Sequence, residues 1–163
     1  LVAYSSVSHM GYVVLGLFSL NIVGATGSVY QMLNHGISTG ALFLLVGIIY
    51  ERRHTREIAA FGGIAKKMPL FAITFMIVTL SSVALPGTNG FVGEFLILLG
   101  AWMSSPLIAI ISATGVVFGA AYMLWMFRRV MFGPITHSEN ESLEDLTPRE
   151  GAVLIPFIVM VFF

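Results

Sequence analysis

Five apolar segments separated by polar stretches run through this chain, and all eight of its Lys and Arg residues fall in two of those stretches. Few folds satisfy that pattern. The segments cover residues 1–20, 28–50, 69–103, 106–127 and 148–163 in rough outline. Hydrophobic residues make up 57% of the chain and charged residues 10%, with mean hydropathy +0.93. Soluble domains run to roughly 45–50% apolar and about 25% charged. The expected class is therefore all-α, a polytopic transmembrane helix bundle forming a single membrane domain. Cysteine is absent, which excludes thiol redox chemistry, Cys-ligated iron–sulfur clusters and disulfides within these residues. The chain starts at Leu1 and stops inside an apolar run, 152–163, that would reach only ~18 Å of a ~30 Å hydrocarbon core. It reads as a fragment of something longer.

The third segment is the odd one. As one straight helix it would extend ~52 Å at about 1.5 Å per residue, far beyond bilayer thickness. Split at Leu85-Pro86-Gly87-Thr88-Asn89-Gly90, its halves would reach ~25 and ~20 Å, each too short to cross alone. A single crossing by a discontinuous helix, broken over 86–90 with Pro86 and Gly87 at the break, fits better. Charge placement tests that choice independently. With the third segment counted once, the polar stretches 51–68 and 128–149 lie on one side and hold every Lys and Arg. The opposite stretches, 21–27 and 104–105, hold none. Counted twice, Arg128 and Arg129 would face away from Arg52, Arg53, Arg56, Lys66 and Lys67. The positive-inside rule favours the single crossing and puts the basic side toward the cytoplasm or its organellar equivalent, matrix or stroma. Pro106 starts the fourth helix, and Thr147-Pro148-Arg149-Glu150 has capping-box spacing for the fifth.

Within these segments lie three titratable groups that need a reason to be there. Glu94 is the one carboxylate inside an apolar span, and His9 and His35 lie in two others. A charged group at the bilayer centre costs ~2.5 kcal/mol or more. Counted from the non-basic face, His9, His35 and Glu94 sit at ~18, ~12 and ~15 Å, all near the midplane. Histidine, with a reference pKa of ~6.5, loads and unloads a proton near neutrality. A buried carboxyl shifts its occupancy with burial and nearby charge. The half-helix starting near Phe91 would point its positive end toward Glu94. Hydroxyls and amides at Tyr4, Ser5, Ser6, Ser8, Gln31, Asn34, Thr88 and Asn89 could hold connecting water. The geometry permits a proton relay along His9, His35 and Glu94. It equally permits structural histidines, a structural ion-pair partner at Glu94 and a simple packing kink at Pro86.

The remaining polar features read as surface. His54 and His137 fall in exposed loops, and the stretch 51–67 carries topogenic charge. Glu139, Glu141, Glu144 and Asp145 form an acidic group whose spacing matches no calcium loop and reads as solvated. The methionines are dispersed and read as packing. No phosphate loop, metal-ligand spacing or nucleophile motif is present, so neither a metal nor a nucleic-acid partner is expected.

Four motifs then occur in a familiar order. Leu1-Val2-Ala3-Tyr4-Ser5-Ser6-Val7-Ser8-His9-Met10-Gly11, Gln31-Met32-Leu33-Asn34-His35-Gly36, Tyr50-Glu51-Arg52-Arg53-His54-Thr55-Arg56 and the stretch from Leu85 to Phe95 resemble the antiporter-like chains of respiratory complex I, the proton-translocating NADH:quinone oxidoreductase. The resemblance covers nearly the whole chain. Related antiporter-like chains, including those of sodium/proton antiporters, generally carry lysine at the position of Glu94, so glutamate points to the chain M (chain 4) group. The resemblance implies the second half of the antiporter-like fold, with His9 and His35 on a central hydrophilic axis and Glu94 ending the proton path. It implies no cofactor in this chain, with NADH, FMN, iron–sulfur clusters and quinone in other subunits. The implied partners are other membrane-arm subunits, neighbouring antiporter-like chains above all, and the lipid of an energy-transducing membrane. A sodium/proton antiporter subunit and a purely structural membrane bundle are the alternatives.

Overall fold

The computed structural model describes residues 1–135 and 137–163. Six α-helices follow one another: α1 (Val2–Phe18), α2 (Ile22–Arg53), α3 (Pro69–Ser82), α4 (Asn89–Ser104), α5 (Pro106–Met131) and α6 (Pro148–Val161). Short 3-10 turns occupy Ile58–Ala60, Ile64–Lys66 and Ser138–Asn140, and no strand occurs among the described residues. At 32 and 26 residues, α2 and α5 are long and apolar enough to cross a membrane unaided. Large apolar side chains such as Leu33, Ile73, Ile111 and Phe118 stand exposed on the outside, a surface suited to lipid.

One expected loop is helix. The Gly-containing stretch 21–27 forms the first turns of α2, because Asn21 supplies a cap: its Oδ1 accepts from the Gly24 N–H at 2.9 Å. The glycines there mark close approach rather than a turn. A Cβ on Gly24 would lie 2.7 Å from the Gly16 carbonyl oxygen, and one on Gly27 would lie 2.8 Å from the Ile97 nitrogen. Small residues let helix backbones meet without intervening side chains. So α1, α2 and α4 form a tight wedge. The same Asn21 donates from Nδ2 to the Gly100 carbonyl at 2.8 Å and to Ser104 Oγ at 3.0 Å, tying the α1–α2 turn to the end of α4.

Between α3 and α4 the chain leaves helical geometry over residues 83–88. Pro86 has no N–H to continue a helix. Gly87 takes a left-handed φ of 97°, and Ala84 a left-handed φ of 54°. The two half-helices do not abut end to end. The start of α4 lies beside the last turn of α3, so that a Cβ on Gly90 would be 2.4 Å from the Ser81 carbonyl oxygen, and Ser81 Oγ donates to Asn89 Oδ1 at 2.8 Å. This overlap takes up length that a straight helix would push out of the bilayer.

The other end of the bundle gathers the basic residues. Arg52, in the last turn of α2, pairs with Glu150 in the first turn of α6 at 2.8 Å. Arg53 pairs with Glu139 and donates from Nε to Asn140 Oδ1 at 2.8 Å. Thr147 and Glu150 complete a capping box on α6. The acidic group is therefore not simply solvated. Asp145 accepts from the Leu70 N–H at 2.9 Å and the Phe71 N–H at 3.0 Å, capping α3 from a distant loop. Replacing Asp145 by Ala should cost about 1–2 kcal/mol, as for other lost caps. Asp145→Asn should lose less, since it keeps one acceptor; thermal unfolding of the full-length protein in detergent ranks the two.

Candidate functional site

Each helix of the wedge turns one stripe inward. On α1 the buried positions are Val2, Ser5, His9, Tyr12, Val13 and Gly16, a helical repeat of three and four. On α2 the stripe is polar through Ser28, Gln31, Asn34 and Ser38, then apolar through Ala41, Leu42, Leu45 and Ile49. On α4 it runs Gly90, Gly93, Glu94, Ile97 and Gly100. The polar half of α2 therefore meets His9 and Glu94, while its apolar half joins the core built on Phe71, Phe75, Met123 and Phe127. The site lies where those stripes cross.

All three titratable residues meet there. His9 Nδ1 lies 2.8 Å from Glu94 Oε1, with Glu94 only 4% exposed and His9 8%. The rings of His9 and His35 have centroids 6.1 Å apart. His35 Nε2 is 2.7 Å from Ser6 Oγ, and Thr39 Oγ1 approaches the same ring at 3.3 Å. Gln31 Nε2 donates to Glu94 Oε1 at 3.4 Å. The carboxylate thus has two polar partners, which offsets much of the cost of burying it.

A cavity of ≈ 10 Å³ is lined by both imidazoles together with Gln31, Asn34, Ser38 and Ser81 among others. That is about the space one water needs, and its polar lining supplies the partners. His9 Nε2, Gln31 Oε1 and Asn89 Nδ2 are buried without a protein hydrogen-bond partner among the described residues. Ser38 Oγ and Ser81 Oγ are 2.7 Å apart, and Asn34 Nδ2 donates to the Asn89 carbonyl at 2.7 Å. Three hydrogen-bonded groups, around Glu94, around His35 and beside the α3–α4 break, therefore border one small polar cavity.

Some sequence expectations need correction. Glu94 is the sixth residue of α4, beyond the first turn in which a helix dipole acts. Its nearest polar partners are His9 and Gln31 instead. Of the hydroxyls expected to hold water, Tyr4 is 83% exposed and Ser8 is also exposed, whereas Ser5 is buried and bonds back to the Val2 carbonyl. Ser6 bonds to His35, on the next helix, not to His9. The role of Ser81 and the buried hydroxyl of Tyr122 went unread; Ser81 could have been found from its position one turn before the break. No group of His, Asp or Glu suited to a metal ion occurs among the described residues.

A broken, overlapping crossing packed on two helices, with a buried carboxylate against an imidazole, defines an integral membrane bundle of the antiporter-like type. The profile described as NADH:quinone oxidoreductase/Mrp antiporter, TM matches residues 1–121, and the chain belongs to that family. It is 51% identical to NADH-quinone oxidoreductase subunit M of Rhodobacter capsulatus over 98% of this chain and 31% of that protein. With the same-named subunit of Rickettsia prowazekii it shares 48% identity over 100% of this chain and 33% of that one. Among solved structures it superposes on a chain of respiratory complex I from Thermus thermophilus with a TM-score of 0.92 at 39% identity, covering 99% of this chain and 34% of that one. The chain thus spans about a third of the length of the relatives it matches. These matches agree with the resemblance read from the four motifs.

Proposed function

We propose that this chain is part of a proton-translocating membrane subunit of NADH:quinone oxidoreductase, in which His9, His35 and Glu94 carry protons and the break at Pro86 and Gly87 shapes the path. The observation that carries the reading is the 2.8 Å contact between His9 and Glu94, with the second imidazole 6.1 Å from the first and both rings lining a water-sized cavity. A proton on His9 Nδ1 can pass directly to Glu94. A proton at Nε2 can pass to His35 through one water, and Ser6 and Thr39 hold the His35 ring for it.

In this reading the chain has no redox centre. NADH, FMN, iron–sulfur clusters and quinone act in other subunits, and neighbouring antiporter-like chains of the membrane arm are its partners. The basic end, with Arg52, Arg53 and Arg128, faces the cytoplasm, matrix or stroma.

The family description also covers Mrp antiporters, which supports a sodium/proton antiporter subunit as the second reading. Membrane vesicles from a strain lacking the full-length protein separate the two. Restoring it should restore NADH-driven internal acidification without added sodium. Sodium-dependent proton exchange in the absence of NADH oxidation would instead select the antiporter. Normal NADH-driven acidification in its absence would leave only a structural role.

A further inference from the structure

Apart from the relay, the basic end of the bundle holds a second concavity, ≈ 610 Å³, between the last turn of α5 and the loop after α2. It is lined by Arg128, Arg129, Trp125, Phe132, Gly62 and Gly133 among others. The two arginines differ from those on α2. Arg52 and Arg53 are held by Glu150 and Glu139, whereas neither Arg128 nor Arg129 has a carboxylate within ion-pair distance among the described residues. Arg129 instead stacks its guanidinium 4.8 Å from the centroid of the Trp125 ring. That contact is a cation–π one and occupies no carboxylate.

The walls are fixed. Gly63 N–H donates to the Phe132 carbonyl at 3.2 Å, and Gly63 adopts a left-handed φ of 67° so close to Gly133 that a Cβ would sit 2.8 Å from its carbonyl oxygen. Phe61 and Gly62, both buried, bring the loop against the helix. Toward its middle α5 exposes apolar side chains, with Phe118 67% exposed and Leu124 42%. Trp125 and Phe132, about half exposed, flank the two arginines at the basic end of α5, and aromatic side chains beside basic ones are typical of a membrane–water interface.

We propose that this concavity binds the phosphate headgroup of an anionic phospholipid, with Arg128 and Arg129 on the phosphate and the acyl chains along the exposed face of α5. Two guanidinium groups without a carboxylate partner, beside a tryptophan, match that ligand in charge and in the adjoining apolar surface of α5. A free phosphate would use the arginines but not the apolar face of α5.

The test uses the full-length protein purified in detergent, with bound lipid counted by native mass spectrometry after exchange into phosphatidylglycerol or phosphatidylcholine. Wild type should retain phosphatidylglycerol and lose phosphatidylcholine. R128Q/R129Q should retain phosphatidylglycerol roughly tenfold less well, from the loss of two cationic contacts. R128K/R129K should keep most of it, and R149Q, which removes a charge at the same end but outside the concavity, should match wild type. Equal retention of the two lipids by wild type would overturn the proposal, even where the double glutamine variant fails to assemble. So would unchanged phosphatidylglycerol in R128Q/R129Q. Binding of inorganic phosphate alone, with no preference between the lipids, would assign the concavity to a soluble anion instead.

Discussion

Glu94→Gln in the full-length chain should abolish most NADH-driven proton transport while leaving the protein assembled. The amide keeps the shape of the carboxylate and an oxygen that can accept from His9 Nδ1–H at the 2.8 Å contact. It cannot take the proton. Positioned acid–base groups contribute on the order of 100-fold or more to proton transfer, so the initial rate of acidification should fall at least tenfold even with partial bypass through water. Glu94→Asp should recover part of the rate, because a titratable group remains although its reach is shorter. Glu94→Ala should in addition lower stability by about 1–3 kcal/mol, by stripping buried His9 and Gln31 of a partner. Fluorescence quenching of a pH-sensitive dye in vesicles reads the rate, and native gels read assembly. Full acidification by the glutamine variant would remove Glu94 from the path.

The second large effect concerns packing. Gly100→Ala should destabilise the bundle, although alanine in a helix interior is otherwise favoured over glycine by roughly 0.5–1 kcal/mol. A Cβ at Gly100 would lie 2.5 Å from both Cα and N of Gly24, and neither is a side chain that can swing away. The helices must separate, which also pulls Asn21 from the Gly100 carbonyl. Overpacking of this kind costs about 1–3 kcal/mol. Gly47→Ala, also within a helix, meets nothing within 4 Å and should be neutral or mildly stabilising. The unfolding temperature in detergent should therefore fall for Gly100→Ala and hold or rise for Gly47→Ala. A shift of the same sign and size for both would mean that α2 and α4 are not held backbone to backbone.

How much of this could be read beforehand depends on which dimension is asked about. Position along the membrane normal follows from counting residues at a fixed rise, so the sequence brought His9, His35 and Glu94 to one level. Rotation about each helix axis does not follow from counting, and rotation decides that His9 rather than His35 meets Glu94. The buried stripes on α1, α2 and α4 hold that information in their three-and-four spacing. In a membrane protein, however, the outer face is apolar too, so the contrast that marks a stripe in water is weak. The stretch 21–27 looked like a loop because glycine at a turn and glycine at a helix contact are the same letter. Asp145 looked like surface because its partners, the N–H groups of Leu70 and Phe71, are backbone and leave no trace in sequence.

The glycine contacts among α1, α2 and α4 carry a mechanical consequence. Where backbones meet at Gly16, Gly24, Gly27 and Gly100 no layer of side chains lies between them to yield, so the wedge resists internal sliding. A displacement imposed on α4 by an adjoining protein would carry the acid and both bases along together, preserving their spacing. In the proposed relay, a moving part is then best sought toward α3, where two left-handed residues and a proline interrupt the rod.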